Sequence, residues 1–203
     1  QYGTSTQMNE KNEKDIFDII KEASNKKNVP LGNISQKIGD LYNSGMDTIL
    51  IEQLDLKPLD DLFKLIDNIK TNSDVQEVAS YLQAIGVGPF FYIFANPDFE
   101  NSNMMIANIY QAGLGLPDRD YYLRTDEASQ KIKKEYFLHV SKVFELLKDK
   151  ADIASLNAKK VIEIETRFAK ASFTNVENLD PQKTNNKLGI SELERLTPDF
   201  HWK

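Results

Sequence analysis

Apolar residues recur at helical spacing along two consecutive stretches in the second half of the chain. The first stripe lies between Glu127 and Lys148 and consists of Ile132, Tyr136, Val140, Val143, Phe144 and Leu147. The second stripe consists of Val161, Ile164, Phe168 and Ala171. Residues three and four positions apart share one face of an α-helix, so both stretches predict amphipathic helices that bury that face. Their length and order predict a long antiparallel helical pair.

A short aromatic stretch interrupts the helical periodicity. Residues 90–94 read Phe-Phe-Tyr-Ile-Phe, follow Gly88-Pro89 and precede Asn96-Pro97-Asp98, which is typical of a strand that ends in a turn. A second apolar run spans residues 104–110, so the two runs predict a hairpin with a loop of about eight residues. The predicted fold class is mainly α, a multi-helix domain with one β-hairpin at about residues 89–110.

Further helical patterns fill the first half of the chain. One stripe, on a helix that Pro58 can open, consists of Leu59, Leu62, Phe63, Ile66 and Ile69. Asn33-x-x-Gln36 and Ser73-x-x-Gln76 resemble capping boxes at the starts of two other helices. No repeat and no low-complexity linker divides the chain, so residues 1–203 are predicted to form a single helical domain.

The charge balance excludes several classes of partner. The chain has 25 Lys and Arg against 31 Asp and Glu, a net charge of −6, so it has no positive field to attract nucleic acid or anionic membranes. No apolar run approaches the roughly 18 residues that a membrane span requires. The sequence therefore predicts no nucleic-acid partner and no membrane span within this chain.

Few residues in the chain suit metal or nucleophilic chemistry. Cysteine is absent, and the two histidines, His139 and His201, belong to no His-Glu-x-x-His motif. The sequence therefore predicts no zinc site and no catalytic residue in this chain. His139 lies beside the apolar stripe of the first long helix, which favours a packed core histidine.

Two groups of acidic residues have structural explanations. Asp60 and Asp61 lie in the first turn of a predicted helix, where the helix dipole favours negative charge. Asp118, Arg119 and Asp120 follow Pro117 and predict a tight turn with an internal ion pair.

Residues 110–123 read Tyr-Gln-Ala-Gly-Leu-Gly-Leu-Pro-Asp-Arg-Asp-Tyr-Tyr-Leu. This segment resembles a hallmark of the neprilysin and endothelin-converting-enzyme family of zinc metalloendopeptidases, which includes bacterial oligoendopeptidases. Other segments resemble further family motifs in the expected order; they are residues 2–4, 164–172, 176–177 with 180–181, 186–187 and 196–202. The resemblance covers the whole chain.

The resemblance implies that the chain is the N-terminal region of such an enzyme, a mostly helical cap domain that encloses the substrate cavity. In that family the zinc ligands and the catalytic acid come from a C-terminal catalytic domain that this chain lacks. The resemblance therefore transfers a structural motif and no catalytic or metal-binding residue. That motif consists of Gly113, Gly115, Leu116, Pro117, Arg119, Asp120, Tyr121 and Tyr122, with Gly115 and Pro117 shaping a bend between the hairpin and the long helices.

Three positions depart from the family pattern. Gln1 stands where some members place an arginine that contacts the carboxyl end of the substrate, so Gln1 is a candidate for the substrate rim without the charge of a guanidinium. Leu179 stands where arginine is common before Asp180-Pro181, and Asn185 stands where tyrosine is usual. Both changes predict an altered polar network at that loop.

Two functional hypotheses follow. In the first, the chain is part of a zinc metalloendopeptidase that hydrolyses peptides of limited size; zinc belongs to the parent enzyme and this region is inactive alone. In the second, the chain is a stand-alone helical module that binds peptides or a partner protein. The sequence stops inside a family motif at Phe200-His201-Trp202-Lys203, which favours the first. We expect the isolated chain to self-associate, and the resemblance favours an extracytoplasmic bacterial enzyme, with a cytoplasmic oligopeptidase as the alternative.

Overall fold

The computed structural model describes residues 3–202. In chain order the elements are α1 (Thr4–Asn25), α2 (Ile34–Gly45), α3 (Thr48–Leu54), α4 (Asp60–Asp67), α5 (Asn72–Ala84), β1 (Phe91–Pro97), β2 (Met105–Gln111), α6 (Asp120–Leu123), α7 (Glu127–Leu146), α8 (Ala151–Ala171), α9 (Asn175–Asn178), α10 (Pro181–Thr184) and α11 (Ile190–Leu196). The fold is mainly α with one hairpin, as the sequence predicts. The chain divides into two compact units, one up to Asp60 and one from Asp61 onward.

The first unit is built on the packing of α1 against α2. Gly39 of α2 lies against Ala23 of α1, and a Cβ at Gly39 would come within 2.6 Å of the Ala23 carbonyl oxygen. This close approach therefore requires glycine. The rings of Phe17 and Tyr42 meet edge to face with centroids 6.4 Å apart, and Lys21 Nζ lies 4.8 Å from the Tyr42 centroid. An aromatic pair with a cation over its ring thus holds the two helices together.

The second unit contains the predicted hairpin. Strands β1 and β2 pair antiparallel in a register that sets Tyr92 opposite Tyr110 and Pro97 opposite Met105. The loop between them spans residues 98–104. The aromatic run and the turn residues after it therefore predicted both the strands and their pairing correctly.

The long helical pair, α7 and α8, forms the other part of the second unit. Asn157 of α8 donates a hydrogen bond to Asp149 in the short loop before it, at 3.0 Å, and the helices pack side by side in antiparallel order. Ala154 and Ala158 have no exposed surface, because small side chains let the helix backbones approach closely. Helix α6 packs against both partners, which places the segment between β2 and α7 on the pair.

The start of α5 differs from the prediction. Thr71 caps this helix: its hydroxyl accepts from the Asp74 backbone N–H at 3.2 Å, and the Asp74 carboxylate accepts from the Thr71 N–H at 2.8 Å. The capping box is therefore Thr71-x-x-Asp74, and the predicted box at Ser73 and Gln76 is wrong. The negative charge of Asp74 in the first turn also interacts favourably with the helix dipole. The neutral amide of a glutamine interacts with it less strongly.

Two other helices also differ from the prediction at their ends. Pro58 lies in a 3-10 turn over Lys57–Leu59, and α4 ends at Asp67, so Ile69 of the predicted stripe lies beyond the helix. Asn33 caps α2 as predicted, but Gln36 Oε1 accepts from the Gly32 N–H, so the second half of that box is wrong.

The chain exposes an unusually large surface. Its accessible area is 15,788 Å², whereas folded proteins of this mass expose about 9,700 Å², or about 11,500 Å² if the two units are counted as separate globules. Many large apolar side chains contribute to this surface, including Leu31, Leu41, Val176 and Leu179. The described residues therefore do not cover their own apolar side chains to the degree that an independent globular protein does.

We predict that the isolated chain self-associates, because uncovered apolar surface is removed from water when copies meet. Light scattering over a wide concentration range should show a molar mass that rises with concentration. Leu179→Arg, which replaces a leucine that is 82% exposed by a charged residue, should reduce this rise. A strict monomer at every concentration would contradict the prediction.

Within residues 3–202, every helix is too short or too polar to cross a lipid bilayer.

Candidate functional site

The segment between β2 and α7 contains two glycines, Gly113 and Gly115, that have no space for a side chain. It begins at Gly113, whose φ of 82° lies in the left-handed region that favours glycine. A Cβ at this position would also lie 2.5 Å from the Pro89 carbonyl oxygen and 3.0 Å from the Phe168 ring. Both conformation and space therefore require glycine where the chain leaves the hairpin.

A polar network joins this segment to the helical pair. Tyr122 of α6 donates its hydroxyl hydrogen to one oxygen of Glu165 on α8 at 2.8 Å. Tyr136 of α7 donates to the other oxygen of Glu165 at 2.9 Å. The backbone N–H of Leu116 donates to the Tyr122 hydroxyl at 2.9 Å. One carboxylate thus ties three helices together and, through Tyr122, holds the loop that precedes α6.

The two phenols of this network are shielded from water to different degrees. Tyr122 is only 2% exposed, and burial, followed by its contacts with Glu165, raises the pKa of Tyr122 well above its usual range. Burial and the charge of Glu165 raise the pKa of Tyr136 to about 12. Both phenols therefore stay protonated at neutral pH and act as hydrogen-bond donors, which is a structural role.

Gly115 has no space for a side chain at this network. A Cβ built on Gly115 would lie 2.7 Å from Cζ of Tyr136, closer still to its hydroxyl, and 3.1 Å from Oε1 of Glu165. Gly115 therefore lets the loop backbone pass directly over the hydrogen bond between Tyr136 and Glu165. This close approach is the physical reason for glycine at position 115.

The charged residues of the turn do not pair with one another. The side chain of Asp118 accepts from the Asp120 N–H at 2.8 Å and from Asn175 Nδ2 at 3.1 Å. Asp120 instead pairs with Arg124 at 2.7 Å. The predicted internal ion pair with Arg119 is wrong, because the Asp118 side chain turns back onto the backbone and Asp120 lies one helical turn from Arg124.

Arg119 lines a small cavity that we call the Arg119 pocket. The pocket has a volume of about 280 Å³, and its walls include Tyr92, Tyr110, Gly113, Pro117, Arg119 and Asn178. The Nε atom of Arg119 is buried and has no hydrogen-bond partner within residues 3–202. Of the other motif residues, Leu116 also lines the pocket, while Tyr121 is half-buried.

An ion pair fixes the tip of the hairpin. Asp98, which is 4% exposed, forms a close ion pair with Lys187 and accepts from the Glu100 N–H at 2.9 Å. The hydrogen bond from Lys187 lowers the pKa of Asp98 and raises that of Lys187. Lys187 belongs to one of the segments that resemble the family, and this contact gives it a structural role.

Glutamine and aromatic side chains hold the last described residues. Gln76 of α5 donates to the Asp199 carbonyl at 2.6 Å and accepts from the His201 N–H at 3.0 Å. The ring centroids of Phe200 and Trp202 lie 4.3 Å apart, and both rings contact Phe91 of β1. The segment at 196–202 therefore packs on the hairpin and α5, beside a cavity of about 590 Å³.

The histidines do not form a metal centre. His139 and His201 are both exposed, so the prediction of a packed core histidine at His139 is wrong: its place beside the apolar stripe in the sequence does not bury it. Within residues 3–202 no three His, Cys, Asp or Glu side chains lie close enough together to hold a metal ion. Gln1, the candidate for the substrate rim, and Tyr2 lie outside the described residues.

Sequence comparison finds relatives along the whole chain. The family model described as Peptidase family M13 matches residues 1–203. Endothelin-converting enzyme 1 of Bos taurus is 27% identical over 209 aligned positions, which cover 100% of this chain and 27% of that protein. Endothelin-converting enzyme-like 1 of Rattus norvegicus is 25% identical and matches 100% of this chain and 27% of its own length.

Solved structures are also similar to this chain along nearly its whole length. The cryo-EM structure of the Mycobacterium tuberculosis zinc metalloprotease Zmp1 in an open state matches 97% of this chain and 30% of that protein, with 26% identity and a TM-score of 0.82. The crystal structure of Zmp1 with an inhibitor matches 95% of this chain and 29% of that protein, with 27% identity and a TM-score of 0.83. The chain thus spans less than a third of the length of each of these relatives.

Proposed function

The chain belongs to peptidase family M13, and on this basis we propose that it forms the cap region of a zinc metalloendopeptidase that hydrolyses peptides of limited size. In this proposal residues 1–203 form one cap domain that encloses the substrate cavity, and they carry out no chemical step. The observation that carries the proposal is the family match over residues 1–203, together with chain coverage of only 27% of the converting enzyme.

The large exposed surface supports the proposal that this chain packs against another substantial part of the same polypeptide. The chain exposes 15,788 Å², which exceeds by about 4,000 Å² the surface of two separate globules of this mass. A remaining part of the same polypeptide, on the scale of the relatives' length, would cover such an area as domains do in a single chain. A freely diffusing binding module would instead keep this apolar surface in water.

Zinc would be held outside the described residues. No group of three possible ligand side chains occurs in residues 3–202, and a catalytic zinc needs three protein ligands. When bound elsewhere in the polypeptide, zinc would polarise the scissile carbonyl and activate water. The residues described above supply rigidity instead: the network at Glu165 and the ion pair at Asp98 hold the walls of the cap in place.

The proposal predicts a chelator-sensitive peptidase that the chain alone cannot reproduce. We expect the longest native polypeptide containing this chain to cleave a short peptide, to lose that activity in a zinc chelator and to regain it with added zinc. Residues 1–203 alone should cleave nothing, with or without zinc. The measurement is mass spectrometry of the peptide products.

The same assay tests the cap. The peptide that is cleaved when free should resist cleavage when it is displayed in a loop of a folded protein, because the enclosed cavity refuses bulky substrates. Equal cleavage of both forms would contradict the cap role but not the peptidase activity. A native polypeptide that ends at Lys203 and binds the peptide without cleaving it would instead favour the stand-alone module.

A further inference from the structure

We propose that the Arg119 pocket is a carboxylate-binding site. Arg119 Nε is buried without a hydrogen-bond partner in the described part of the chain. A guanidinium stays charged at every physiological pH, so a buried N–H of this group that bonds to neither protein nor ligand carries a large desolvation cost. Arg119 also lines the pocket, so an anion there would lie beside this positive charge and be attracted by it.

The neighbouring carboxylates do not supply this anion. Asp118 accepts hydrogen bonds from the Asp120 N–H and from Asn175, and Asp120 forms its ion pair with Arg124. The two acids that flank Arg119 in sequence are therefore directed at other partners. The turn leaves the guanidinium unpaired although carboxylates precede and follow it directly in the chain.

The walls of the pocket select the kind of anion. Tyr92 and Tyr110 lie directly opposite each other in the hairpin register, and both line the pocket, as does Asn178. Residues that carry hydroxyl and amide groups therefore line the same pocket as Arg119. Arg119 is the only cationic side chain in the described lining, and Asp118 adds a negative charge. One cation beside one anion disfavours a phosphate, which carries a charge of about −1.5 to −2 at pH 7. A planar monoanion that takes two parallel N–H bonds fits better, which is a carboxylate.

The volume also suits a small group. A cavity of about 280 Å³ lies just below the range of roughly 300 to 1,000 Å³ that small-molecule sites usually have. It holds one carboxylate with a short stem, such as an aspartate or glutamate side chain from another part of the polypeptide, or the carboxyl end of a peptide. Carboxylate binding here is independent of peptide hydrolysis, so its test stands whether or not the function proposed above is correct.

The experiment uses the longest native polypeptide that contains this chain, with N-acetylglycine as the probe and its neutral amide, N-acetylglycinamide, as the matched control. We expect titration calorimetry to show binding of the acid and not of the amide. Arg119→Gln should weaken binding of the acid about tenfold or more, because a charge-assisted pair is lost. Arg195→Gln, the same change at an arginine whose side chain is 78% exposed and which lies outside the described lining, should leave binding unchanged.

A crystal structure of the same polypeptide separates the two sources of the carboxylate. A side chain of aspartate or glutamate already seated on Arg119 supports the proposal with an internal ligand, and the probe should then bind only after that residue is changed to alanine. A free pocket that takes up the probe supports an external ligand. The proposal is overturned if the pocket contains no carboxylate and the protein binds the acid and the amide equally, or binds neither. This outcome is measured on the unmodified protein, so it does not depend on whether Arg119→Gln folds.

Discussion

Replacing Gly115 with alanine should lower the free energy of unfolding by about 3 kcal/mol, the upper range for an added methyl group that also breaks a buried hydrogen bond. The new Cβ would lie 2.7 Å from Cζ of Tyr136 and 3.1 Å from Oε1 of Glu165. Since Tyr136 on α7 is bound to Glu165 on α8 by a hydrogen bond, we expect the loop to move instead, and the Leu116 N–H then leaves the Tyr122 hydroxyl. Urea unfolding at one fixed protein concentration measures the change.

Two further variants show whether the clash is the cause. Tyr136→Phe removes the hydroxyl that the new methyl group meets, so Gly115→Ala should cost less in that background than in the wild type, a coupling that a double-mutant cycle reports. The rescue should be partial, because the ring carbon remains. Gly189→Ala is the matched control in the same unit: its Cβ meets nothing closer than 3.5 Å, and the change at this N-cap should cost less than about 1 kcal/mol. Equal losses at Gly115 and Gly189 would refute the steric explanation.

The sequence predicts those parts of the fold that depend on local periodicity. The stripes at 127–148 and 161–171 correspond to α7 and α8, and the aromatic run at 90–94 lies in β1 or directly before it. Such patterns are read correctly because a helix or strand that buries one face needs apolar residues at a fixed spacing. His139 shows the limit: a residue beside a stripe in the sequence can still lie on the exposed face of the helix.

Capping and charge pairing are less predictable because several local partners compete. Ser73 and Thr71 are both good cap residues, and the choice of Thr71 depends on where the backbone leaves the extended conformation. Similarly, Asp118 and Asp120 both neighbour Arg119, yet each finds another donor. Sequence spacing alone does not rank such alternatives, since each contributes only about 1 kcal/mol.

The network at Glu165 escaped the sequence analysis because its members are far apart in the chain. Glu165 lies 43 residues from Tyr122 and 29 residues from Tyr136. A usable signal did exist: Tyr122 and Glu165 each lie in a segment that resembles the family, and Tyr136 is a hydroxyl-bearing residue within an apolar stripe. A buried phenol needs an acceptor, and a carboxylate on the facing helix is the natural one.

Glu165→Ala should lower the free energy of unfolding by about 3 kcal/mol, because two half-buried or buried phenols lose a charged acceptor at once. Glu165→Gln should cost roughly half as much, since an amide oxygen still accepts from one phenol. Glu163→Ala is the matched control: this glutamate lies on the same helix, is exposed and should change stability by less than about 0.5 kcal/mol. If Glu163→Ala lowered the free energy of unfolding as much as Glu165→Ala, the loss would come from α8 itself and not from the hydrogen bonds to Glu165.

The same network should limit stability at alkaline pH. The folded state raises the pKa of Tyr136 to about 12, whereas an unfolded tyrosine titrates near 10. Between these values the unfolded chain loses its proton while the folded chain keeps it, so the unfolded state binds fewer protons and the free energy of unfolding falls as pH rises. The contribution is complete below about pH 10 and is lost as pH approaches about 12. Tyr136→Phe should therefore flatten the plot of unfolding free energy against pH over this range, relative to the wild type. Tyr81→Phe, at an exposed tyrosine on α5, should leave the plot unchanged. Parallel plots for the wild type and Tyr136→Phe would mean that Tyr136 does not keep its proton in the folded state.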